Sequence, residues 1–97
     1  FEMQDLCLEP IQFTTYMPGC YYGWHRDWSE QKERRLSFSV QLDDPNDYKG
    51  GDLEFQEVPM KDNQRLKGTF FLFKSEVLHQ VTPVTKGKRH SLVGWFK

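Results

Sequence analysis

The feature that most limits how this chain can fold is a series of short alternating runs separated by turn residues. From Leu36 to Leu42, apolar residues alternate with Ser37, Ser39 and Gln41, so the two sets lie on opposite faces of a predicted strand. In an ordinary sheet the polar face would contact water, whereas in a barrel it could equally contact a polar pocket. This pattern is typical of an all-β domain.

Other runs predict further strands, and no segment carries a convincing helical pattern. The run TFFLF at 69–73 is continuously apolar, which is typical of a strand buried on both faces. The polar segments 29–35 and 43–51 are predicted as loops, the first with at most one helical turn, and 59–67 as an irregular segment with room for one short strand. About seven short strands indicate a sandwich or a barrel. Besides 36–42, the predicted strands are 11–17, 21–27, 52–57, 69–73, 77–84 and 89–96.

The length of 97 residues predicts a single domain, 1–97, and the 15% of aromatic residues can fill a small barrel. Thirteen Lys and Arg against fourteen Asp and Glu give a net charge of -1, which lends no support to a nucleic-acid partner without excluding one. No run is long and apolar enough to span a membrane, and no signal peptide is evident. We expect Cys7 and Cys20 to be reduced thiols in a cytoplasmic protein.

Three residues of ligand type stand out. His25 and Asp27 are two apart in a predicted strand, so they share a face about 6.6 Å apart at the backbone, and His79 interrupts the apolar positions of LHQVTPV. Taken separately, His25 and Asp27 could be a hydrogen-bonded pair, and His79 could be a core histidine hydrogen-bonded to a backbone carbonyl. Together they form the donor set of non-haem iron(II) enzymes, which leaves three metal positions open. Zinc enzymes with these donors typically carry HExxH on a helix, and no such helix is predicted.

Arg89 begins a predicted strand whose remainder, SLVGWF, is mostly apolar. A charged residue at this position is ordinarily a solvated strand end. Alternatively, its guanidinium enters the barrel and binds one carboxylate of a dicarboxylate through two parallel hydrogen bonds.

Residues 16–95 resemble the prolyl 4-hydroxylase-like oxygenases that depend on non-haem iron(II) and 2-oxoglutarate, including the bacterial PKHD type. The stretches that carry the resemblance are YMPGCYYGWHRD (16–27), RLSFSVQLDDPNDYKGGDLEF (35–55) and HQVTPVTKGKRHSLVGW (79–95), with the arginine ten residues after the distal histidine. The resemblance implies a double-stranded β-helix, a jelly-roll or cupin-like squashed barrel made of two sheets. It also implies that the last two predicted strands lie in opposite sheets, although Lys86-Gly87 by itself indicates a tight hairpin.

The resemblance further implies the chemistry. His25, Asp27 and His79 would hold iron(II), and Arg89 would hold the 2-oxoglutarate cosubstrate. Dioxygen would be consumed, succinate and carbon dioxide formed and a substrate C–H bond hydroxylated, with ascorbate as the expected reductant. Because Asp27 is present, a halogenase is not favoured. The expected substrate is a prolyl residue in a peptide or protein.

Other residues receive roles by position in the resembling family. Barrel packing is the alternative for the pocket residues, and packing against the polar 29–35 loop is the alternative for Trp24 and Trp28. Leu53 and Trp95 are as consistent with packing as with the pocket. The acidic residues of the 43–51 loop favour a basic substrate weakly. Two alternatives stay open: the same chemistry on a free amino acid, another side chain or a nucleobase, and an inert cupin-like metal-binding module. The sequence does not indicate an oligomeric state. The cosubstrate pocket is predicted to contain Tyr16, Gln41, Trp95, Ser39 and Leu53, and the substrate site Trp24, Trp28 and Tyr48.

Overall fold

The computed structural model describes residues 6–56, 58 and 65–97. In this part of the chain every regular element is a strand, apart from one short 3-10 helix at Pro45–Asp47. The all-β prediction is therefore confirmed. The strands are β1 (Gln12–Tyr16), β2 (Tyr22–His25), β3 (Leu36–Gln41), β4 (Tyr48–Gly50), β5 (Leu53–Phe55), β6 (Phe70–Lys74), β7 (His79–Val81), β8 (Val84–Gly87) and β9 (Arg89–Phe96).

The described strands form three antiparallel sheets. The largest has the order β1-β9-β3-β6, the second β2-β7-β5, and β4 pairs with β8 in the third. Strands β7 and β9 lie in different sheets, as the family resemblance implies, and β8 with the residues around Pro83 carries the chain between them. Residues from the two larger sheets line one shared cavity.

The polar face of β3 is turned inward. Ser37, Ser39 and Gln41 are all buried, although each carries a polar side chain. A buried polar group costs free energy unless it finds a partner, so this face marks a polar interior. Of the two possibilities that the alternating sequence left open, the structure has the polar pocket.

Two segments differ from the sequence-based prediction. The 43–51 loop contains β4, which is three residues long, pairs with β8 and begins at the buried Tyr48. The predicted strand 77–84 is divided into β7 and β8, because Pro83 has no N–H to donate to a sheet. The expected irregular segment 59–67 falls largely outside the described residues. The 29–35 segment is a turn, as predicted, in which the Glu33 amide donates to the Ser29 carbonyl at 2.8 Å.

The expectation that the run 69–73 is buried on both faces is wrong. Phe71 is buried against Leu53 and Val81, whereas Phe70 and Leu72 are each 57% exposed. β6 is an edge strand of the four-stranded sheet, and the exposure of Phe70 and Leu72 shows that little of the described part of the chain covers its outer face. Continuous apolar sequence does not distinguish this situation from a strand between two layers.

Cys7 and Cys20 are both exposed and free of a disulfide, as expected. Within the described residues, no helix has the length and apolar composition needed to cross a membrane.

Candidate metal and cosubstrate site

The two candidate histidine ligands meet because their strands are paired. β2 runs antiparallel to β7, and the register places His25 directly opposite His79. Their rings lie 4.2 Å apart, and the pairing is irregular between Tyr22 and His25, which re-aims the histidine. Phe55 pairs with His79 from the other side, so the neighbouring strand supports the second ring.

Backbone carbonyls fix the tautomer of both imidazoles. The Nδ1 of His25 lies 2.7 Å from the Gly23 carbonyl oxygen, and the Nδ1 of His79 lies 2.8 Å from that of Val77. A carbonyl only accepts, so Nδ1 carries the proton in each ring, and Nε2 keeps its lone pair for a metal. Both rings are therefore oriented as ligands before any ion binds.

Asp27 completes a three-donor cluster. It lies just past the end of β2, and its backbone amide donates to the Ser75 carbonyl at 2.9 Å. Its Oδ1 lies 3.3 Å from Nε2 of His25 and 3.5 Å from Nε2 of His79. Neighbouring donors on one octahedral ion are about 3 Å apart when each metal–ligand bond is about 2.1 Å. Both distances from Asp27 are thus close to this spacing, and all three donor atoms lie within 4.8 Å of one another.

The second oxygen of Asp27 is engaged elsewhere. Its Oδ2 accepts a hydrogen bond from Ser37 at 2.6 Å and another from the indole N–H of Trp95 at 2.9 Å. Ser37 in turn lies 2.9 Å from Ser75, hydroxyl to hydroxyl. With Oδ2 held by two donors, Oδ1 is the oxygen directed at the histidines, which suits a ligand that binds through one oxygen.

These contacts also set the charges in the site. Burial acts to raise the pKa of Asp27, but donors from His25, His79, Ser37 and Trp95 outweigh it and hold that pKa far below its usual value. Burial acts to lower the pKa of His25, and hydrogen bonds with Asp27 and the Gly23 carbonyl outweigh it, so the pKa is raised. The aspartate is therefore a carboxylate throughout the physiological range.

Arg89 projects into the same cavity from the four-stranded sheet. It is 2% exposed, donates to Gln41 Oε1 at 3.0 Å and lies 5.3 Å from the centre of the Tyr16 ring. Its Nε and the hydroxyl of Ser91 are buried with no partner among the described residues. Two unpaired polar groups on adjacent inward positions of β9 fit a ligand carboxylate, which accepts hydrogen bonds and balances the charge.

Tyr48 lies behind this arginine. It is 4% exposed, and the Arg65 guanidinium covers its ring at 4.5 Å. Burial lowers the pKa of Arg89, and hydrogen-bonding contact with the Tyr48 phenol acts in the opposite direction. The predicted substrate residue Tyr48 is thus placed against Arg89, the residue predicted to bind the cosubstrate.

Gly51 makes room for the arginine stem. A Cβ atom at this position would lie 3.0 Å from Arg89 Cδ and 2.8 Å from a Val84 methyl carbon, and the φ angle is +63°. Both the backbone conformation and the space therefore require glycine here. The GG pair in the sequence is explained in part by the path of Arg89.

The structure brings together most of the predicted site residues, but not all. Ser39, Leu53 and Trp95 line a cavity of about 300 Å³, together with Tyr16, Arg89 and the donor set of His25, Asp27 and His79. Gln41 lies behind the cavity wall and contacts it through its hydrogen bond to Arg89. Trp24 and Trp28 are 49% and 46% exposed and are not part of the cavity wall. The substrate role of these tryptophans stays a prediction.

Sequence reasoning missed three serines. Ser37 and Ser75 orient Asp27, and Ser91 stands beside Arg89 on the inner face of β9. The alternation of 36–42 marked Ser37 as part of a polar face, and Ser91 follows Arg89 by two positions on a strand, so both had a usable signal. Ser75 had no such signal, because its role depends on contacts with Asp27 and Ser37, which are distant from it in sequence.

The chain matches the model of the 2OG-Fe(II) oxygenase superfamily over residues 11–97. It is 42% identical over 82 residues to a PKHD-type hydroxylase of Synechococcus sp. (strain CC9902), covering 81% of this chain and 37% of that protein. It is 35% identical over 88 residues to one of Idiomarina loihiensis, covering 88% of this chain and 40% of that protein. The chain thus spans about two fifths of the length of these relatives.

Solved structures agree on the architecture. A Pseudomonas putida prolyl-4-hydroxylase superimposes with a TM-score of 0.73 and 32% identity, covering 90% of this chain and 50% of that one. A 2OG-Fe(II) oxygenase family oxidoreductase from Burkholderia pseudomallei gives a TM-score of 0.77 at 19% identity, covering 99% and 47%, which is a likeness of fold alone. The fold is the double-stranded β-helix, as predicted.

Proposed function

Because this chain belongs to the 2OG-Fe(II) oxygenase superfamily, we propose that it is an iron(II)- and 2-oxoglutarate-dependent hydroxylase acting on a prolyl residue of a peptide or protein. The observation that carries the proposal is the placement of two incomplete sites in one cavity. One is the convergent donor set of His25, Asp27 and His79, and the other is the buried Arg89 with its unpartnered Nε.

Iron(II) fits the donor set. Two imidazoles and one carboxylate form the facial triad that leaves three positions open, and these three side chains offer atoms within 4.8 Å of one another. The carbonyl of Gly23 and that of Val77 hold the histidine rings in the metal-binding tautomer. Ser37 and Trp95 hold the carboxylate so that a single oxygen faces the ion.

A dicarboxylate cosubstrate fits the other end of the cavity. Arg89 and Ser91 would bind the carboxylate distant from the metal, because both have an unpartnered polar atom there. Gln41 and Tyr48 orient the guanidinium, and Tyr16 closes one side of it. When bound, iron(II) and 2-oxoglutarate supply dioxygen activation coupled to formation of succinate and carbon dioxide, and ascorbate would keep the metal reduced.

The prolyl substrate is the finer part of the proposal. Support comes from the similar proteins, which include a prolyl-4-hydroxylase at 32% identity and a group of PKHD-type hydroxylases. At the mouth of the cavity, Tyr22 is 51% exposed and stacks on His25 at 3.8 Å. A flat aromatic ring at this position suits the apolar faces of a proline ring.

The test is a turnover assay with defined peptides. The purified chain is incubated with iron(II), ascorbate, 2-oxoglutarate and proline-containing peptides, and succinate and peptide mass are measured. We expect succinate formation to depend on peptide, and fragmentation to place one added oxygen atom on proline. Succinate stimulated by free amino acids or nucleotides, but not by any prolyl peptide, would refute the prolyl substrate while keeping the chemistry. Bound iron with no succinate under any condition would favour an inert module.

A further inference from the structure

Positive charge is concentrated in the wall of the metal-site cavity. Among the described residues that line it, Arg26, Lys32, Arg34 and Arg89 are cationic, and Asp27 is the single carboxylate. Asp27 is part of the donor set, and a bound divalent metal would neutralise its charge. The cavity is therefore lined by more positive than negative charge, although the whole chain has a net charge of -1.

Two of these four cations already have defined contacts. Arg89 is buried and is assigned to the cosubstrate. Arg34 donates to both carboxylate oxygens of Glu9, at 2.8 and 3.2 Å, and its guanidinium covers the Trp95 ring at 3.7 Å. Arg34 is thus paired with an anion and held in place by packing, so it has little capacity left for a ligand.

Arg26 and Lys32 are different. Both are exposed, and neither side chain has a hydrogen bond or ion pair with any other residue that the structure describes. The turn at 29–33 positions Lys32, whose backbone amide donates to the carbonyl and the hydroxyl of Ser29 at 3.2 and 3.1 Å. A cation without a protein partner at the rim of a cavity is available to an incoming anion.

The position of Arg26 limits how far that anion can be from the metal. Arg26 lies between two metal ligands in sequence, so its Cα is about 3.8 Å from the Cα of each. It lines the metal-site cavity and also an adjoining cleft, whose wall includes Phe55, Leu78 and the oppositely charged Lys74 and Glu76. A peptide that enters the cavity therefore passes Arg26 close to the metal ligands, and because one residue of an extended peptide spans about 3.3–3.6 Å, a carboxylate that contacts Arg26 belongs to a residue near the oxidised one.

We propose that Arg26 and Lys32 select a peptide substrate with an aspartate or glutamate within two positions of the hydroxylated residue. This inference rests on the proposed function for the identity of the oxidised residue. A carboxylate matches the planar fork of arginine, and the lysine adds a mobile second charge.

The acidic loop that suggested a basic substrate lies away from the cavity. Asp43 accepts hydrogen bonds from the backbone amide of His90 at 2.5 Å and pairs with its ring at 2.9 Å. Asp44 accepts from the Asn46 amide at the start of the short 3-10 helix. Asp43, Asp44 and Asp47 are absent from the described wall of the cavity, so they do not offset its positive charge at short range.

The first experiment compares three peptides that differ only at the residue beside proline, which is Glu, Gln or Lys. Affinity is measured without turnover, on the protein loaded with manganese(II) and 2-oxoglutarate, at low and high salt. Exposed ion pairs contribute little each, so we expect the Glu peptide to bind about fivefold more tightly than the Gln peptide, and the Lys peptide most weakly. The difference should shrink at high salt because these charges are screened.

The second experiment exchanges the charges. Arg26→Glu and Lys32→Glu should each reduce or reverse the preference for the Glu peptide, so that the affinity for the Lys peptide rises and that for the Glu peptide falls. Lys86→Glu is the matched control, because Lys86 is exposed on β8, carries the same charge and lies outside the cavity wall. Manganese and 2-oxoglutarate affinities are measured for every variant. If Arg26→Glu no longer binds the metal, Arg26→Gln replaces it in the comparison of peptide affinities.

The inference would be overturned by equal affinity of the wild-type protein for the three peptides, or by an unchanged preference in both charge-reversed variants. A preference that disappears equally in Lys86→Glu would also overturn it, because the effect would then be one of net charge. Failure of the proposed function looks different, since a peptide that binds with the expected charge preference but never gains oxygen on proline contradicts the prolyl hydroxylase alone.

Discussion

At the scale of single residues, the site is built by side chains that hold other side chains. Asp27 is directed by Ser37 and Trp95, and Arg89 is directed by Gln41 and Tyr48. Each ligand-type residue therefore has a neighbour that fixes which of its atoms faces the cavity. Substitutions of these neighbours separate orientation from ligation.

Trp95 gives the first such test. Trp95→Phe removes the indole N–H that Asp27 Oδ2 accepts and keeps an aromatic ring beneath Arg34. We expect metal affinity to fall about tenfold, because loss of a residue that orients a ligand typically costs about 10–100-fold. Manganese(II) titration by calorimetry measures this. Trp28→Phe is the control, since Trp28 is exposed, and equal affinities of the two variants would remove Trp95 from the metal site.

Tyr48 tests the other end of the cavity. Tyr48→Phe keeps the ring under Arg65 and removes the hydroxyl that contacts Arg89. The KM for 2-oxoglutarate should rise several-fold while manganese affinity stays unchanged. Arg89→Met sets the upper limit, with an expected loss of about 2–5 kcal/mol in cosubstrate binding, because a carboxylate would be left without its charged partner. If Tyr48→Phe matches the wild type in KM, the phenol only fills space.

At the scale of strands and turns, the site is assembled from short strands that are distant in sequence. One glycine and one irregularity in strand pairing determine how their side chains meet. The β2–β7 register places two histidines opposite each other, and an irregularity in β2 aims the first one. Gly51, between β4 and β5, lets the stem of Arg89 pass close to the backbone. Local backbone geometry thus sets the distance between the two halves of the site.

Gly51→Ala should lower stability and cosubstrate affinity together. Its φ of +63° disfavours alanine, and the new Cβ would lie 2.8 Å from Val84 and 3.0 Å from Arg89. We expect a loss of about 1–3 kcal/mol in the free energy of unfolding, measured by urea denaturation. Gly19→Ala is matched to it, because Gly19 also has a positive φ, of +91°, but has no atom within 4 Å of the added carbon. If both variants lose the same stability, crowding at Gly51 is unimportant.

At the scale of the whole molecule, a metal would tie together segments that are far apart in sequence. His25 ends β2 and Asp27 lies two residues later, whereas His79 begins β7 more than fifty residues further along the chain. The core of buried apolar side chains is small, and the outer face of β6 is exposed in the described part. Metal binding would therefore add to the stability of a fold whose apolar core is small.

Manganese(II) should stabilise the protein, and more so as pH rises. At a free metal concentration 100-fold above Kd, the gain is about 2.7 kcal/mol. The raised pKa of His25 stabilises the metal-free fold below the usual value of 6.5, and this contribution is lost as pH rises through the raised value. A metal needs His25 unprotonated, so its own contribution grows over that same range.

Thermal unfolding with and without manganese(II), at several pH values, measures both effects. Asp27→Ala and His79→Ala should abolish the metal-dependent increase in Tm, and Asp43→Ala, whose carboxylate pairs with His90 outside the cavity, should retain it. An increase in Tm that survives in His79→Ala would contradict the three-ligand assignment.

Sequence alone determined the all-β class, the alternation of polar and apolar residues along β3 and the family, because alternation, turn residues and motif spacing are local properties of the chain. The candidate ligands could be named for the same reason. Only the tertiary structure decided the placement of Tyr48 beneath Arg89, the role of Ser75 and the exposure of Phe70 and Leu72. These depend on which segment packs against which, and such long-range contacts leave no periodic signal in the sequence.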